Sequence, residues 1–143
     1  MINIVLDTNI IISAALSSEG NPAKIINLIA VNDNMQIYCS QAILAEYKKV
    51  LSYKRLNFSD EKQIRAINLI EKYGVCVQPK ISDIPLPDES DRIFYDTAKA
   101  VNAYLITGNL KHYPDESQIV TPARFVEIFE SNRESLFIKQ SLL

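Results

Sequence analysis

The chain has 143 residues, 48 % hydrophobic and 22 % charged, the balance of one globular domain able to bury its own core rather than of a disordered or fibrous chain. A net charge of −2 and a pI near 5.4 argue against a duplex-DNA coat protein, whose affinity rests on many Lys and Arg contacts. They leave room for an enzyme acting on nucleic acid, because metal-binding carboxylates offset cations in the count.

No apolar run approaches the roughly 20 residues that span a bilayer, and no leader pattern opens the chain. A cytoplasmic protein with no membrane contact is therefore expected. The two cysteines, Cys39 and Cys76, sit in apolar, strand-like stretches and are expected as buried, reduced thiols rather than a disulfide framework. With 3 glycines, no Gly-rich phosphate loop can form.

In chain order, Ile2 to Leu6 reads as a buried strand rich in β-branched residues. It ends at Asp7-Thr8-Asn9, and a short helix follows through Ile12 to Leu16. Asn21-Pro22 predicts a helix start, with Asn as cap and Pro in the first turn. Met35 to Cys39 is a second strand. Ser40 caps the next helix, in which Ile43, Tyr47, Val50 and Leu51 recur at helical spacing. Ser59 caps a fourth helix, favoured by Asp60 and Glu61 at its positive end and stopped at Gly74. Val75 to Val77 is a third strand, and a loop from Pro79 to Pro87 follows. Asp88 or Ser90 caps a helix with Phe94, Ala98 and Val101 inward. Tyr104 to Thr107, then Ile119-Val120, are the last strands, and Thr121-Pro122 opens a final helix carrying Phe125, Ile128 and Phe129. Residues 1–143 thus form one expected domain, with a core at 1–130 and a tail at 131–143. Strands alternating with helices predict a three-layer α/β/α domain with a central, mainly parallel sheet. Ligands bind such sheets beyond the carboxyl ends of the strands.

Oxygen side chains gather at that edge. Asp7 follows the first strand, either as a helix cap or as a site residue. Glu46 falls at the flank of an inward helical stripe, where a carboxylate is solvated or paired. Asp88 and Asp91, three apart at a helix start, share one face, a place where acids also serve simply as caps. Asn109 ends the strand turn Thr107-Gly108-Asn109. Two carboxylates about 5 Å apart repel by about 3 kcal/mol at an effective dielectric of about 20, so the group calls for a cation. Oxygen ligands favour Mg²⁺ or Mn²⁺ over zinc.

These residues resemble the PIN-domain nucleases. Asp7-Thr8-Asn9, Ala45-Glu46-Tyr47, Asp88-Glu89-Ser90-Asp91-Arg92-Ile93-Phe94 before Ala98, and Tyr104-Leu105-Ile106-Thr107-Gly108-Asn109 match that family in order and spacing, from Ile4 to about Phe129. The stretch from Thr107 to Pro114 is most similar to the branch of toxin components of toxin–antitoxin pairs. The resemblance implies a PIN-like fold and a metal-dependent ribonuclease that prefers single-stranded RNA, with a small antitoxin as partner. It puts Asp7, Glu46 and Asp91 on the three principal acidic positions, as catalytic residues and metal ligands, with Asp88 and Asn109 as further metal candidates. Asn109 stands where many members have a fourth aspartate. That departure favours, as the alternative, a PIN-fold module that binds RNA or protein without cutting.

Asn9, Arg92, Thr107 and Lys111 are the candidates for touching substrate, with pairing to Glu89 or Asp88 as the alternative for Arg92. Lys48, Lys49, Lys54 and Arg55, interleaved with Tyr47 and Tyr53, read either as a solvated helix end or as a groove wall tracking RNA. His112, the one histidine, is expected as a solvated loop residue, with a contact to substrate phosphate, by it or by Lys111, as the alternative. With no ligand pair near it, it offers neither a zinc site nor a catalytic triad. A phospho-receiver domain is disfavoured, since Cys76-Val77-Gln78 stands where its aspartate belongs. Leu136, Phe137 and Ile138, with Leu142 and Leu143, are unusually apolar for a chain end. They are expected either on the sheet edge or in a homodimer contact.

Overall fold

The computed structural model describes residues 1–142, and their side chains up to residue 133. The elements are β1 (Ile2–Leu6), α1 (Thr8–Leu16), α2 (Asn21–Val31), β2 (Met35–Cys39), α3 (Gln41–Leu51), α4 (Asp60–Tyr73), β3 (Val75–Cys76), α5 (Arg92–Ala100), β4 (Tyr104–Ile106), β5 (Ile119–Val120) and α6 (Pro122–Leu142). Short turns of tighter helix occupy Lys54–Leu56, Glu89–Asp91 and Leu110–His112. α6 continues through residue 130, so the expected tail extends the last helix. The apolar group from Leu136 to Leu143 lies outside the described side chains.

All strand pairs are parallel, in the order β3-β2-β1-β4-β5. β1 is central, and its Ile4, Val5 and Leu6 are fully buried, as a continuous apolar run in a doubly covered sheet requires. Helices pack on the sheet, with α5 across β1, β2 and β4 and α2 against α1 and α6. The sheet order reverses at β1, between β2 and β4. The loops that leave the carboxyl ends of β1 and β4 there flank a crevice, the usual ligand position of an open α/β sheet.

Local capping follows the chain chemistry. Ser40 and Ser59 accept from the backbone N–H groups of Ile43 and Lys62 at 3.1 Å, and Thr121 accepts from Arg124 N–H at 3.2 Å. The start of α2 differs by one residue from expectation: Gly20 is the cap and Asn21 is already helical. Cys76 also departs from expectation. β3 is only two residues long and lies at the sheet edge, which leaves Cys76 exposed while Cys39 is buried.

Gly74 ends α4 for a reason other than left-handed geometry, since its φ of −86° is open to any residue. A Cβ there would stand 2.4 Å from the carbonyl oxygen of Ile70, which accepts the Gly74 N–H at 2.8 Å. The helix end has closed onto the position. Gly74→Ala is expected to destabilise the fold by about 1–3 kcal/mol, the usual range for overpacking. Urea unfolding checks this, and an unchanged midpoint would remove the steric account.

Candidate metal centre

A cleft of about 450 Å³ opens at the carboxyl edge, lined among others by Asp7, Asn9, Glu46, Asp88, Asp91, Asn109 and His112. The five acidic and amide positions singled out from the sequence therefore share one cavity. Three separate devices bring them there.

The first fixes Asp7. Its backbone caps α1, but its carboxylate makes no capping bond. Instead, Oδ2 accepts from Thr107 Oγ1 and from Tyr113 Oη, each at 2.9 Å. The capping alternative for this side chain is thereby excluded. Both donors fall on one oxygen, which leaves Oδ1 as the uncommitted atom. Tyr113 is buried, and burial together with Asp7 pushes its phenol far above the usual range, so it stays a donor.

The second fixes Glu46. The neighbouring Tyr47 is fully buried. Its hydroxyl donates to the carbonyl oxygen of Leu6 at 2.5 Å, and its ring stacks on Phe94 at 6.2 Å. These contacts tie α3 to the end of β1 and to α5, which brings Glu46 to the cleft wall, half-buried. The same burial rules out the expected role of Tyr47 as a stacking face for RNA.

The third fixes Asp88 and Asp91. Asp88 takes the capping role, its Oδ1 accepting from Ser90 N–H at 2.9 Å and Ser90 Oγ at 2.8 Å. Those two bonds hold its carboxyl below the usual carboxylate range. Asp91 caps nothing with its side chain. It is 8 % exposed, and its Oδ2 is buried with no hydrogen-bond partner. His112 Nδ1 lies 3.0 Å from that oxygen, near enough for electrostatic attraction without hydrogen-bond alignment. Burial, then the Asp7 charge, pushes the Asp91 carboxyl up to about 6, with His112 acting in the opposite direction. A buried carboxylate oxygen that faces an imidazole nitrogen without an aligned hydrogen bond is expensive to keep charged. A divalent cation is the partner that suits it in a cleft rich in oxygen ligands.

The expected substrate contacts divide. Asn9 lines the cleft, with its Oδ1 accepting from Gly108 N–H at 2.9 Å. Thr107 is fully buried, its hydroxyl donating to Asp7 and accepting from Asn109 N–H at 3.0 Å. It positions Asp7 and cannot reach a substrate. Arg92 does not line the cleft. Its guanidinium donates to Glu89 Oε2 at 2.8 Å, Ser82 O at 2.9 Å, Ser82 Oγ at 3.0 Å and Ile84 O at 2.8 Å, which braces the 79–87 loop and leaves no free face for phosphate. Lys111 is exposed and outside the cleft lining. Of the basic cluster, Lys48 faces Glu71 at 3.7 Å on α4. Arg55 reaches the cleft with Tyr53, its guanidinium 5.3 Å from that ring centre.

Tyr113 is not legible from the sequence as a site residue, and His112 is legible only as an alternative phosphate contact. The signal lay in the stretch Lys111-His112-Tyr113-Pro114 beside Asn109, where a tight turn at Leu110–His112 swings both side chains back toward the acids. Asn109 Nδ2 lies 2.9 Å from His112 Nε2, so the amide and the imidazole form one unit.

A sequence model of the PIN domain matches residues 3–111. MJ1680 of Methanocaldococcus jannaschii, an uncharacterised protein, is 30 % identical over 90 % of this chain and 92 % of its own length. Three solved structures are similar. PAE2754 from Pyrobaculum aerophilum has a TM-score of 0.60 at 12 % identity, over 91 % of this chain and 90 % of its own. VapBC2 from Rickettsia felis, bound to a DNA fragment from its promoter, has a TM-score of 0.56 at 19 %, over 84 % and 97 %. VapBC-1 from nontypeable Haemophilus influenzae has a TM-score of 0.53 at 25 %, over 78 % and 90 %. The matched segment runs from β1 through Asp7, Glu46, Asp88 and Asp91 to Asn109, covering every acidic position of the cleft, and on that span the chain belongs to the PIN domain family.

Proposed function

We propose that this protein is a divalent-metal-dependent endoribonuclease that cuts single-stranded RNA, as the toxin component of a toxin–antitoxin pair. The observation that carries the reading is the buried Asp91 carboxylate, whose Oδ2 makes no aligned hydrogen bond and has His112 Nδ1 at 3.0 Å, in the cleft that Asp7, Glu46 and Asp88 also line. Asp7, Glu46 and Asp91 would hold Mg²⁺ or Mn²⁺, with Asp88 and Asn109 completing the set. Such an ion, when bound, supplies an oriented water of lowered pKa and neutralises charge on phosphate oxygens.

The chain's own residues prepare that site. Thr107 and Tyr113 hold one oxygen of Asp7, so the other faces the cleft in a fixed direction. Asn9 clasps the Gly108 turn and keeps the ends of β1 and β4 together. Tyr53 and Arg55 offer a stacking face and a cation along the wall, a pairing suited to single-stranded nucleic acid. The test is cleavage of a labelled single-stranded RNA that requires Mg²⁺ or Mn²⁺ and stops with chelator. A well-folded preparation that never cuts any RNA, with or without metal, favours the binding-module alternative.

Asn109 gives a graded prediction. Its amide brings no charge, so with Asp7, Glu46 and Asp91 ionised the site carries about −3 before Asp88 is counted. Those three carboxylates by themselves suit one ion better than two. Asn109→Asp is expected to lower the Mn²⁺ concentration for half-maximal cleavage. Asn109→Ala is expected to slow cleavage by about tenfold, the lower end for a residue supporting metal ligands. Loss of all activity in Asn109→Ala would make the amide a primary ligand or substrate contact.

Two of the similar structures are VapBC assemblies, which supports a small antitoxin as protein partner. A homodimer is also expected. Light scattering at tens of micromolar should give twice the 16.2 kDa chain mass, and the monomer mass would remove the dimer. No helix among the described residues is long and apolar enough to cross a membrane.

A further inference from the structure

We propose that His112, with Asp88 and Asp91, forms a second cation position of mixed nitrogen and oxygen character, selective for a borderline transition ion such as Zn²⁺ or Co²⁺ over Mg²⁺. The inference rests on the metal-centre reading above and sharpens it, because it assigns a ligand outside the acidic set and a chemical preference to one part of the cleft.

Four facts converge. One ligand atom from each of Asp88, Asp91 and His112 lies within 4.8 Å of the others. Asp91 is more than nine-tenths buried, and its Oδ2 has no hydrogen-bond partner. His112 Nδ1 is the nitrogen turned toward that oxygen, at 3.0 Å. The hydrogen bonds that Ser90 gives Asp88 both fall on Oδ1, so Oδ2 of Asp88 remains for a cation.

The far side of the imidazole is also prepared. A metal-binding histidine is normally held by a partner on its other nitrogen. Asn109 stands there, 2.9 Å from Nε2. With Nδ2 facing the ring, the amide donates, and the imidazole proton belongs on Nδ1. A half-turn of the amide presents Oδ1 instead, which accepts an Nε2 proton and frees the Nδ1 lone pair for a cation. Asn109 thus suits both tautomers, whereas a carboxylate could only accept. An imidazole ligand favours Zn²⁺, Co²⁺ or Ni²⁺, while Mg²⁺ prefers oxygen and sheds water reluctantly. Asp7 and Glu46 remain the all-oxygen side of the cleft, with Asp91 between the two sets.

The presence of one histidine in the chain makes a direct test practical. The full protein, isotope-labelled at histidine, is titrated with Zn²⁺ and separately with Mg²⁺ while the two ring nitrogens are followed by NMR. Zn²⁺ is expected to shift Nδ1 as direct coordination does, and Mg²⁺ to leave it nearly unmoved. Calorimetry should find Zn²⁺ binding weakened about tenfold or more in His112→Ala and in His112→Gln, with Mg²⁺ binding much less affected in both, and Zn²⁺ binding weakened about tenfold in Asn109→Ala. Circular dichroism checks that each variant is folded. Ring nitrogens that stay put at saturating Zn²⁺, or Zn²⁺ binding that survives both His112 variants, overturn the proposal. RNA cleavage separates the two readings. A protein that coordinates Zn²⁺ through His112 yet cuts no RNA keeps this site and loses the nuclease. One that cuts with Mg²⁺ while the imidazole stays silent loses only this site.

Discussion

Asp7→Asn is expected to reduce metal-dependent RNA cleavage by about a hundredfold or more while leaving the chain folded. The substitution keeps shape and removes one of the charges that hold the cation. Metal-assisted charge neutralisation contributes several kcal/mol in phosphodiester chemistry, and each 1.4 kcal/mol is tenfold in rate. The side chain has a second dependency. Its Oδ2 takes two hydrogen bonds from buried hydroxyls, Thr107 and Tyr113. An amide oxygen can accept both, which then puts the NH₂ group where Oδ1 faced the cleft, and an NH₂ group repels a cation. Tyr113→Phe is the companion variant. It leaves every charge in place and removes only one of the two bonds that orient Asp7. Loss of a supporting hydrogen bond of this kind costs about 10- to 100-fold in metal affinity or activity, so Tyr113→Phe should require more Mn²⁺ for half-maximal cleavage and recover at high Mn²⁺, whereas Asp7→Asn should not. Cleavage rate against Mn²⁺ concentration for the three proteins decides the matter. Wild-type rates in Asp7→Asn would falsify the assignment of the cleft as the nuclease centre.

A millimolar concentration of Mn²⁺ should raise the melting temperature at pH 7.5 by about 5–10 °C, and the gain should fade toward pH 5. The reason lies in Asp91. Its folded-state pKa, about 6, stands above its ordinary value of 3.8 because the group is buried near Asp7. Between those two values the folded chain binds more protons than the unfolded chain, so folding stability falls as pH rises through that window. Two pH units correspond to at most about 3 kcal/mol, lessened by solvent screening on the open side of the cleft, a penalty present above pH 6 and absent below about pH 4. A cation removes it by pairing with the carboxylate, and binding at 100 times Kd adds about 2.7 kcal/mol of stability. For a domain of this size that is several degrees of melting temperature. At pH 5 protons compete for the same oxygen, and the metal effect shrinks. Asp91→Asn alters both effects. Without metal at pH 7.5 it should melt above the wild type, since no charge is buried, and Mn²⁺ should raise its melting temperature much less. Identical metal responses in wild type and Asp91→Asn, measured by calorimetry at the two pH values, would remove Asp91 as a ligand.

The sequence by itself determined the alternation of strands and helices, the caps at Ser40, Ser59 and Thr121, and the gathering of acids at one sheet edge. Each of these is local. A strand is read from a β-branched apolar run such as Ile2 to Leu6, a cap from a hydroxyl before a periodic stripe, and the edge from the rule that parallel strands end on one side. Acid positions were legible as places but not as roles, because a carboxylate at a helix start has the same local signature whether it caps or binds. Only the tertiary structure separated Asp88, which caps, from Asp91 and Asp7, which do not. Arg92 shows the same limit: its pairing with Glu89 is legible from the spacing, but the carbonyls of Ser82 and Ile84, which take its remaining donors, belong to a loop that folds back over it. The largest gap lay at Thr107, His112 and Tyr113. Thr107 and Tyr113 meet Asp7 across 100 and 106 residues of chain. That meeting follows from the register of β1 on β4, which sets Leu6 beside Ile106. Register is fixed by the fit of two buried surfaces over the whole sheet, so no pattern within either segment carries it.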